Sequence, residues 1–486
     1  MSELVKKLEP KIIWNHFANL NAIPRPSKKE EQVIEFMMNF GKDLHLETFT
    51  DSVGNVIIRK PATKNFENRK TIVLQSHLDM VHQKNGTTIF DFDNEGINML
   101  IEGDWVTADG TTLGADNGMG VAAIMSVLSS KKIQHPKIEA LFTIDEETGM
   151  TGAMGLEAGL LEGEILLNLD TEEDDEIGMG CAGGIDVTAT GKYPEGVTPQ
   201  KTIGFSITVK GLNGGHSGMD IHKGLGNANK IMNRLLFDGF SKFGLRISEI
   251  NGGSLRNAIP RESNAIIAID KISQKIFLRN IELLIAQIKN EFSTIEPNLT
   301  IEIQEIASPE KVMELNIQEN FIRAIYTSLN GVYRMSPTIS GLVETSNNIA
   351  KVTVQKGLIK VKCLIRSSSE SNKQDLTNSL KSAFELAGFE VELSGEYPGW
   401  QPNVNSKILE IVSNIYEDLH GEKAHVAACH AGLECGILGQ NYPKMDMVSF
   451  GPTILGAHSP DEKVSISSTQ KFWRFLQEIL KNIPKK

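Results

Sequence analysis

Thr71-Ile72-Val73-Leu74-Gln75-Ser76-His77-Leu78-Asp79 is the stretch on which the fold turns. A short β-branched apolar run, Thr71 to Gln75, predicts a buried strand, and the polar His77 and Asp79 follow directly at its carboxyl end. On an extended chain the side-chain period is two, so His77 and Asp79 point to the same side. Asp79 could then accept a hydrogen bond from one ring nitrogen of His77, fixing the tautomer and leaving the other nitrogen for a metal. A strand end with solvated polar residues is the plain alternative, and one His-x-Asp triplet does not decide between them.

The rest of the first third repeats the pattern. Strands are predicted at Val56 to Arg59, Glu139 to Ile144 and Ile165 to Leu169, and a buried or amphipathic helix at Asn117 to Ser130. The last two strands run into Glu146-Glu147 and Asp170, and the helix starts just after Asp116 in Leu113-Gly114-Ala115-Asp116-Asn117-Gly118. In open α/β sheets functional groups gather beyond the carboxyl ends of the strands. His458, in the glycine- and proline-flanked segment Gly451 to Pro460, adds a second imidazole.

Two imidazoles and three carboxylates suit a pair of divalent cations, because zinc takes both donor types and one carboxylate can be shared between two ions. Adjacent Glu146 and Glu147 repel unless a cation compensates them, which fits one of them binding metal while the other faces water. Taken singly, each residue has a structural explanation. Asp116 suits a capped turn, Asp170 opens the acidic run Thr171 to Glu176, and His458 sits in a loop. Their joint occurrence is what points to a metal centre.

The chain has 486 residues, more than one core supports, so two or more domains are expected. A net charge of -12 disfavours nucleic acid and anionic lipid as partners, since those require basic patches. No apolar run approaches the roughly 20 residues that span a bilayer, and Lys6, Lys7, Glu9 and Lys11 occupy the place of a signal peptide's apolar core. A cytoplasmic location is the resulting expectation. Cys181, Cys363, Cys429 and Cys435 show no CxxC spacing, which argues against a disulfide framework or a thiolate zinc site.

From about Asp186 the pattern changes. Strand patterns at Lys201 to Gly211 and Ser263 to Asp270 enclose a helix pattern at Asn227 to Asp238. A loosely similar series follows, with a helix near Ile317 to Leu329, strands at Ala350 to Val354 and Leu358 to Arg366, a helix at Gln374 to Ala387 and a strand at Phe389 to Leu393. The series reads as an α+β insert of two related halves. The expected organisation is an α/β catalytic domain with a central mixed sheet, residues 1–186 and 398–486, interrupted by an α+β lid, residues 187–397.

The segments Ser76 to Val81, Leu113 to Ala122, Thr143 to Ala153, Leu167 to Thr171 and Gly451 to Ser459 together resemble the M20 metallopeptidases, in the branch of aminoacyl-histidine dipeptidases. The resemblance runs over nearly the whole chain, and no ligand position departs from the family pattern. It implies a discontinuous two-domain di-zinc peptidase. His77 and Asp170 serve one zinc, Glu147 and His458 the other, and Asp116 bridges with a water or hydroxide; Mn2+ or Co2+ are possible substitutes for Zn2+. It makes Glu146 the general base and Asp79 the carboxylate that orients the histidine, and it implies a cis bond between Asp116 and Asn117. In the insert it assigns His216, in Gly214-Gly215-His216-Ser217-Gly218, to the oxyanion, often of a neighbouring subunit's site. Asn257, Arg366 and Gly432 fall at its substrate contacts, and an arginine fork independently suits a free carboxylate. The implied activity is hydrolysis of Xaa-His and other unblocked dipeptides by a homodimer joined through the lid domain. The alternatives are an M20 tripeptide aminopeptidase, an N-acyl amino acid amidohydrolase or, from another class, a non-catalytic metal- or peptide-binding protein.

Overall fold

The structure, a computed structural model, describes residues 2–486. The chain divides into two compact units, Met1–Gly180 with Trp400–Ala428 and Leu433–Lys486, and Cys181–Gly399 with Cys429–Gly432.

The first unit is built on an eight-stranded sheet. Its order is Glu47–Thr50, Val56–Lys60, Ile138–Thr143, Ile72–His77, Ile165–Asn168, Asp446–Ser449, Glu176–Cys181 and His425–Cys429. The central strands Ile138–Thr143, Ile72–His77 and Ile165–Asn168 run parallel, joined by Asp446–Ser449, while Val56–Lys60 pairs antiparallel with both Glu47–Thr50 and Ile138–Thr143, and Glu176–Cys181 antiparallel with Asp446–Ser449, so the sheet is mixed. Every residue of those three central strands is buried. Strands covered on both faces read as unbroken apolar runs, which is why Ile72 to Leu74 shows no alternation. Because the strands are parallel and in register, with Gln75 opposite both Leu141 and Asn168, their carboxyl ends lie at one edge. His77, Glu146-Glu147 and Asp170 are thereby delivered to the same edge.

The helix Ala115–Ser129 is buried on all sides from Asn117 to Leu128, as expected of a helix apolar all round. Its first turn is irregular. Asp116 and Asn117 have non-helical backbone angles, and the bond between them is cis. A small four-stranded sheet, ordered Ile454–Leu455, Lys463–Ser465, Trp105–Ala108 and Met99–Glu102, presents His458 in the turn between its first two strands. These two- to four-residue strands are too short for periodicity to reveal.

The second unit is built on a large antiparallel sheet made of two copies of one topology. The strands Thr202–Lys210, Arg246–Gly252, Ser263–Asp270 and Thr300–Ile306, with the helices Ala228–Phe243 and Gln274–Glu291, form a βαββαβ half whose strands lie in the order fourth, first, third, second. Gly183–Lys192, Val343–Gln355, Leu358–Ser367 and Glu390–Tyr397, with the helices Leu315–Thr327 and Glu370–Leu386, form the other half in the mirrored order. Arg246–Gly252 and Val343–Gln355 pair across the junction. The first half is thus inserted in the second, after its opening strand. The helix Gln274–Glu291 has no counterpart in the sequence expectation, because only Phe277, Ile281 and Ile288 of its 18 residues are buried. Among the described residues no helix is long and apolar enough to cross a membrane, and no disulfide joins the four cysteines.

Candidate metal centre

The edge of the first unit's sheet gathers the predicted donors. His77 ends its strand at 1% exposure, with Nε2 at 3.2 Å from Asp116 Oδ1 and 3.5 Å from Asp170 Oδ1. His458 Nε2 lies 3.3 Å from Asp116 Oδ2 and 3.0 Å from Glu147 Oε2. The two oxygens of Asp116 therefore face different imidazoles, each with a further carboxylate beside it. The donor atoms of His77, Asp116 and Asp170, and of Asp116, Glu147 and His458, lie within 4.8 Å of one another in each set, as do those of His77, Glu146 and Glu147.

Electrostatics follow from that crowding. Burial pushes the Glu146 carboxyl well above the usual range, with help from the charges of Asp170, Glu434 and Glu147 against that of His77. Burial likewise raises Glu147 and Asp170. For Asp116 burial is outweighed by hydrogen bonds from His458 and His77, which hold it below the ordinary carboxylate range. The hydrogen bonds to Asp116 and Glu147 push His458 up to about 11. His77 is raised against the effect of burial, by Asp170 first. The carboxylates thus favour positive charge at this place, which a bound cation would supply. Glu147 Oε1 is buried without a hydrogen-bond partner, an open acceptor among imidazole and carboxylate donors. That donor set fits hard or borderline divalent cations.

Asp79 does more than the sequence indicated. Its Oδ1 is 3.3 Å from His77 Nδ1, and its two oxygens also accept the Glu146 and Glu147 amides at 3.0 and 3.2 Å and the Ser27 hydroxyl at 2.8 Å. One carboxylate thus orients the imidazole and fixes the backbone of both glutamates. Asn117, which the sequence placed at the start of the helix and in the cis bond but gave no side-chain role, donates to Leu169 O and to Asp170 Oδ1.

Three buried charged residues escaped sequence reasoning. Arg25, at 1% exposure, donates to the carbonyls of Leu78, Asp79 and Gly114 at 2.9, 3.1 and 2.5 Å. Burial lowers its pKa to about 10, opposed by the charges of Glu462, Asp79, Asp116 and Glu147. Glu434 Oε2 accepts from Gln75 Nε2 and Thr143 Oγ1, both at 2.6 Å, and burial pushes this carboxyl up to about 8. Glu462 accepts four backbone amides of the segment that leads into Asp116. Arg25 stands among Pro24, Pro26 and Ser27, with no periodicity to place it, so nothing local marked it as buried. Arg25→Met is expected to destabilise the protein by about 3 to 5 kcal/mol, since it leaves the buried carbonyls of Leu78, Asp79 and Gly114 without their donors and removes the positive charge felt by Glu462 and Asp79. Urea denaturation of the metal-free protein measures this.

The predicted substrate residues lie in the second unit. Arg366, at 5% exposure, ends the strand Leu358–Ser367, and its Nη1 donates to Tyr397 OH at 3.0 Å and its Nε to Ser217 Oγ at 3.4 Å. Its Nη2 lies 3.2 Å from His216 Nε2. The amides of Gly218 and Met219 point at His216 Nδ1 from 3.3 and 3.0 Å, which places the ring proton on Nε2. Two donors therefore stand side by side, an arrangement that suits an anionic oxygen. His216 and Arg366 come from different halves of the one insert. Asn257 is exposed, and its carbonyl accepts the Ser217 amide at 2.8 Å. A Cβ built on Gly218 would lie 2.0 Å from His430 O, so that glycine lets the segment bearing Gly432 approach Arg366 and His216.

Histidine and carboxylate donors gathered at the carboxyl ends of parallel strands suit a metal-dependent hydrolase, and the family model for Peptidase family M20/M25/M40 matches residues 73–482, which makes the class that of the peptidases. The chain belongs to this family. It is 45% identical over 488 residues to the cytosol non-specific dipeptidase of Escherichia coli (strain K12), covering 100% of both chains. Among solved structures, aminoacylhistidine dipeptidase from Vibrio alginolyticus superposes with a TM-score of 0.93 at 46% identity, covering 100% of each chain. Aminopeptidase PepT from Bacillus cereus ATCC 10987 shares the fold, with a TM-score of 0.57 at 17% identity over 98% of this chain and 99% of its own.

Proposed function

We propose that this chain is a dinuclear metallodipeptidase that hydrolyses unblocked dipeptides, Xaa-His among them. The observation that carries the proposal is Asp116, whose Oδ1 is 3.2 Å from His77 Nε2 and whose Oδ2 is 3.3 Å from His458 Nε2. In this reading His77 and Asp170 hold one ion, Glu147 and His458 the other, and Asp116 is shared. Zinc is favoured by the donor types, with Mn2+ or Co2+ able to replace it. When bound, such a pair supplies a water acidic enough to attack a peptide carbonyl near neutral pH.

The chain's own residues do the rest. Glu146, half-buried beside His77 and Glu147, takes a proton from the attacking water and hands it to the leaving amine. Asp79 keeps His77 and the Glu146 backbone in place. His216 donates to the oxyanion through Nε2, and Arg366 holds the C-terminal carboxylate, which limits the substrate's length. Asn257 and Gly432 contact the substrate backbone. The first unit is the catalytic domain and the second the lid, through which a homodimer forms in the cytoplasm. Full-length identity to relatives named as a cytosol dipeptidase and an aminoacylhistidine dipeptidase supports this substrate class.

The test is a hydrolysis panel on metal-stripped and zinc-restored protein. Unblocked dipeptides should be cleaved only after restoration. Turnover confined to tripeptides or N-acyl amino acids would reassign the substrate, and dipeptide affinity without turnover would mark a binding protein.

A further inference from the structure

Glu462 closes the hairpin turn that carries His458, and it reaches back to the other half of the centre. Its side chain is 2% exposed. Oε2 accepts the amides of Leu113 and Gly114 at 2.7 and 2.9 Å, and Oε1 those of Ala115 and Asp116 at 2.7 and 3.2 Å. A carboxylate receiving four amide protons makes charge-assisted bonds, about twice the strength of neutral ones.

The segment it grips is irregular, and besides Glu462 and Arg25 its backbone is met by Asn21 Nδ2 on Leu113 O at 2.9 Å and by the Gly118 amide on Gly114 O at 3.2 Å. Gly114 is left-handed at φ 70°, and Asp116 and Asn117 lie outside the helical region, so the helix ladder does not yet constrain them. Arg25 takes the opposite polarity, with Nη2 on Gly114 O at 2.5 Å. A Cβ at Gly114 would sit 2.5 Å from that nitrogen, which explains the glycine. Residues 113–116 are therefore held by their N–H groups from Glu462 and by a carbonyl from Arg25, two buried opposite charges.

We propose that Glu462 is a positioning residue for the shared carboxylate: through the amides of residues 113–116 it aims Asp116 between the two imidazoles. Because Glu462 and His458 belong to one turn, it also ties the position of Asp116 to that of His458. The inference rests on the reading of Asp116 as shared by two ions. It gives Glu462, which touches neither ion nor substrate, control over how well the second ion binds.

The test titrates metal-free wild type and Glu462→Gln with Co2+, following ion stoichiometry, affinity and the visible absorption of the bound ion. Glutamine keeps the size but turns an NH2 group toward two amides that need an acceptor. The second ion should bind about 10- to 100-fold more weakly, with the first less affected and the absorption band shifted. Wild-type affinities and spectrum in Glu462→Gln would overturn the proposal even if the metal-free variant melts lower, because a residue that serves stability alone gives that result. Should Glu462→Gln not fold, Glu462→Asp carries the test with the same ordering expected and the same overturning result. Wild-type protein that binds a single ion would sink the reading of the centre, and this inference with it.

Discussion

Glu146→Ala is expected to lower kcat on an unblocked dipeptide by about 100- to 10,000-fold, the usual contribution of a positioned general base. The ion content should stay that of the wild type. The prediction separates two neighbouring carboxylates by what holds them. Glu147 Oε2 is within 3.0 Å of His458 Nε2 and is proposed as a ligand, whereas Glu146 gathers with His77 and Glu147 and is proposed as the base. Its amide is pinned by Asp79 at 3.0 Å, so truncating its side chain leaves the turn in place. Steady-state kinetics with metal analysis on the same preparation decides the matter. Loss of both ions in Glu146→Ala would make it a ligand rather than a base.

Arg366→Ala should raise KM for free dipeptides by about 10- to 100-fold, the effect of removing a charged hydrogen-bonding partner from a buried site. C-terminally amidated dipeptides should be almost unaffected. The guanidinium is buried, and the groups found on its three nitrogens are Ser217, Tyr397 and His216, none of them a carboxylate. A buried fork so placed is suited to a carboxylate brought by the substrate. Comparison of KM for each free and amidated pair is the measurement, and equal effects would remove Arg366 from the carboxylate contact.

Much of the first unit was legible because its physics is local. Ile72, Val73 and Leu74 could hardly be other than a buried strand, and Leu141, Phe142 and Ile144 before Glu146-Glu147 gave the same signal. The donors follow those runs directly, so their types and places could be read one by one. In the insert, the strand at Ser263–Asp270 and the helix beginning near Asn227 were visible, but Gln274–Glu291 was not, since a mostly exposed helix carries little apolar periodicity. The recurrence of similar elements hinted at two halves. Only the strand pairing shows that both share one βαββαβ order and that one is inserted in the other.

By itself, the sequence determined the mixed α/β character of the first unit, the five metal-type donors and the paired glutamates, since each depends on residue type and on neighbours in the chain. Tertiary structure alone decided that both oxygens of Asp116 face an imidazole, that Asp79 also holds the backbone amides of both glutamates, and that Arg25 and Glu462 grip residues 113–116 by opposite charges. These contacts join residues tens to hundreds of positions apart. Burial gives them their strength, and no local pattern records it, because a buried charge depends on partners that folding brings to it.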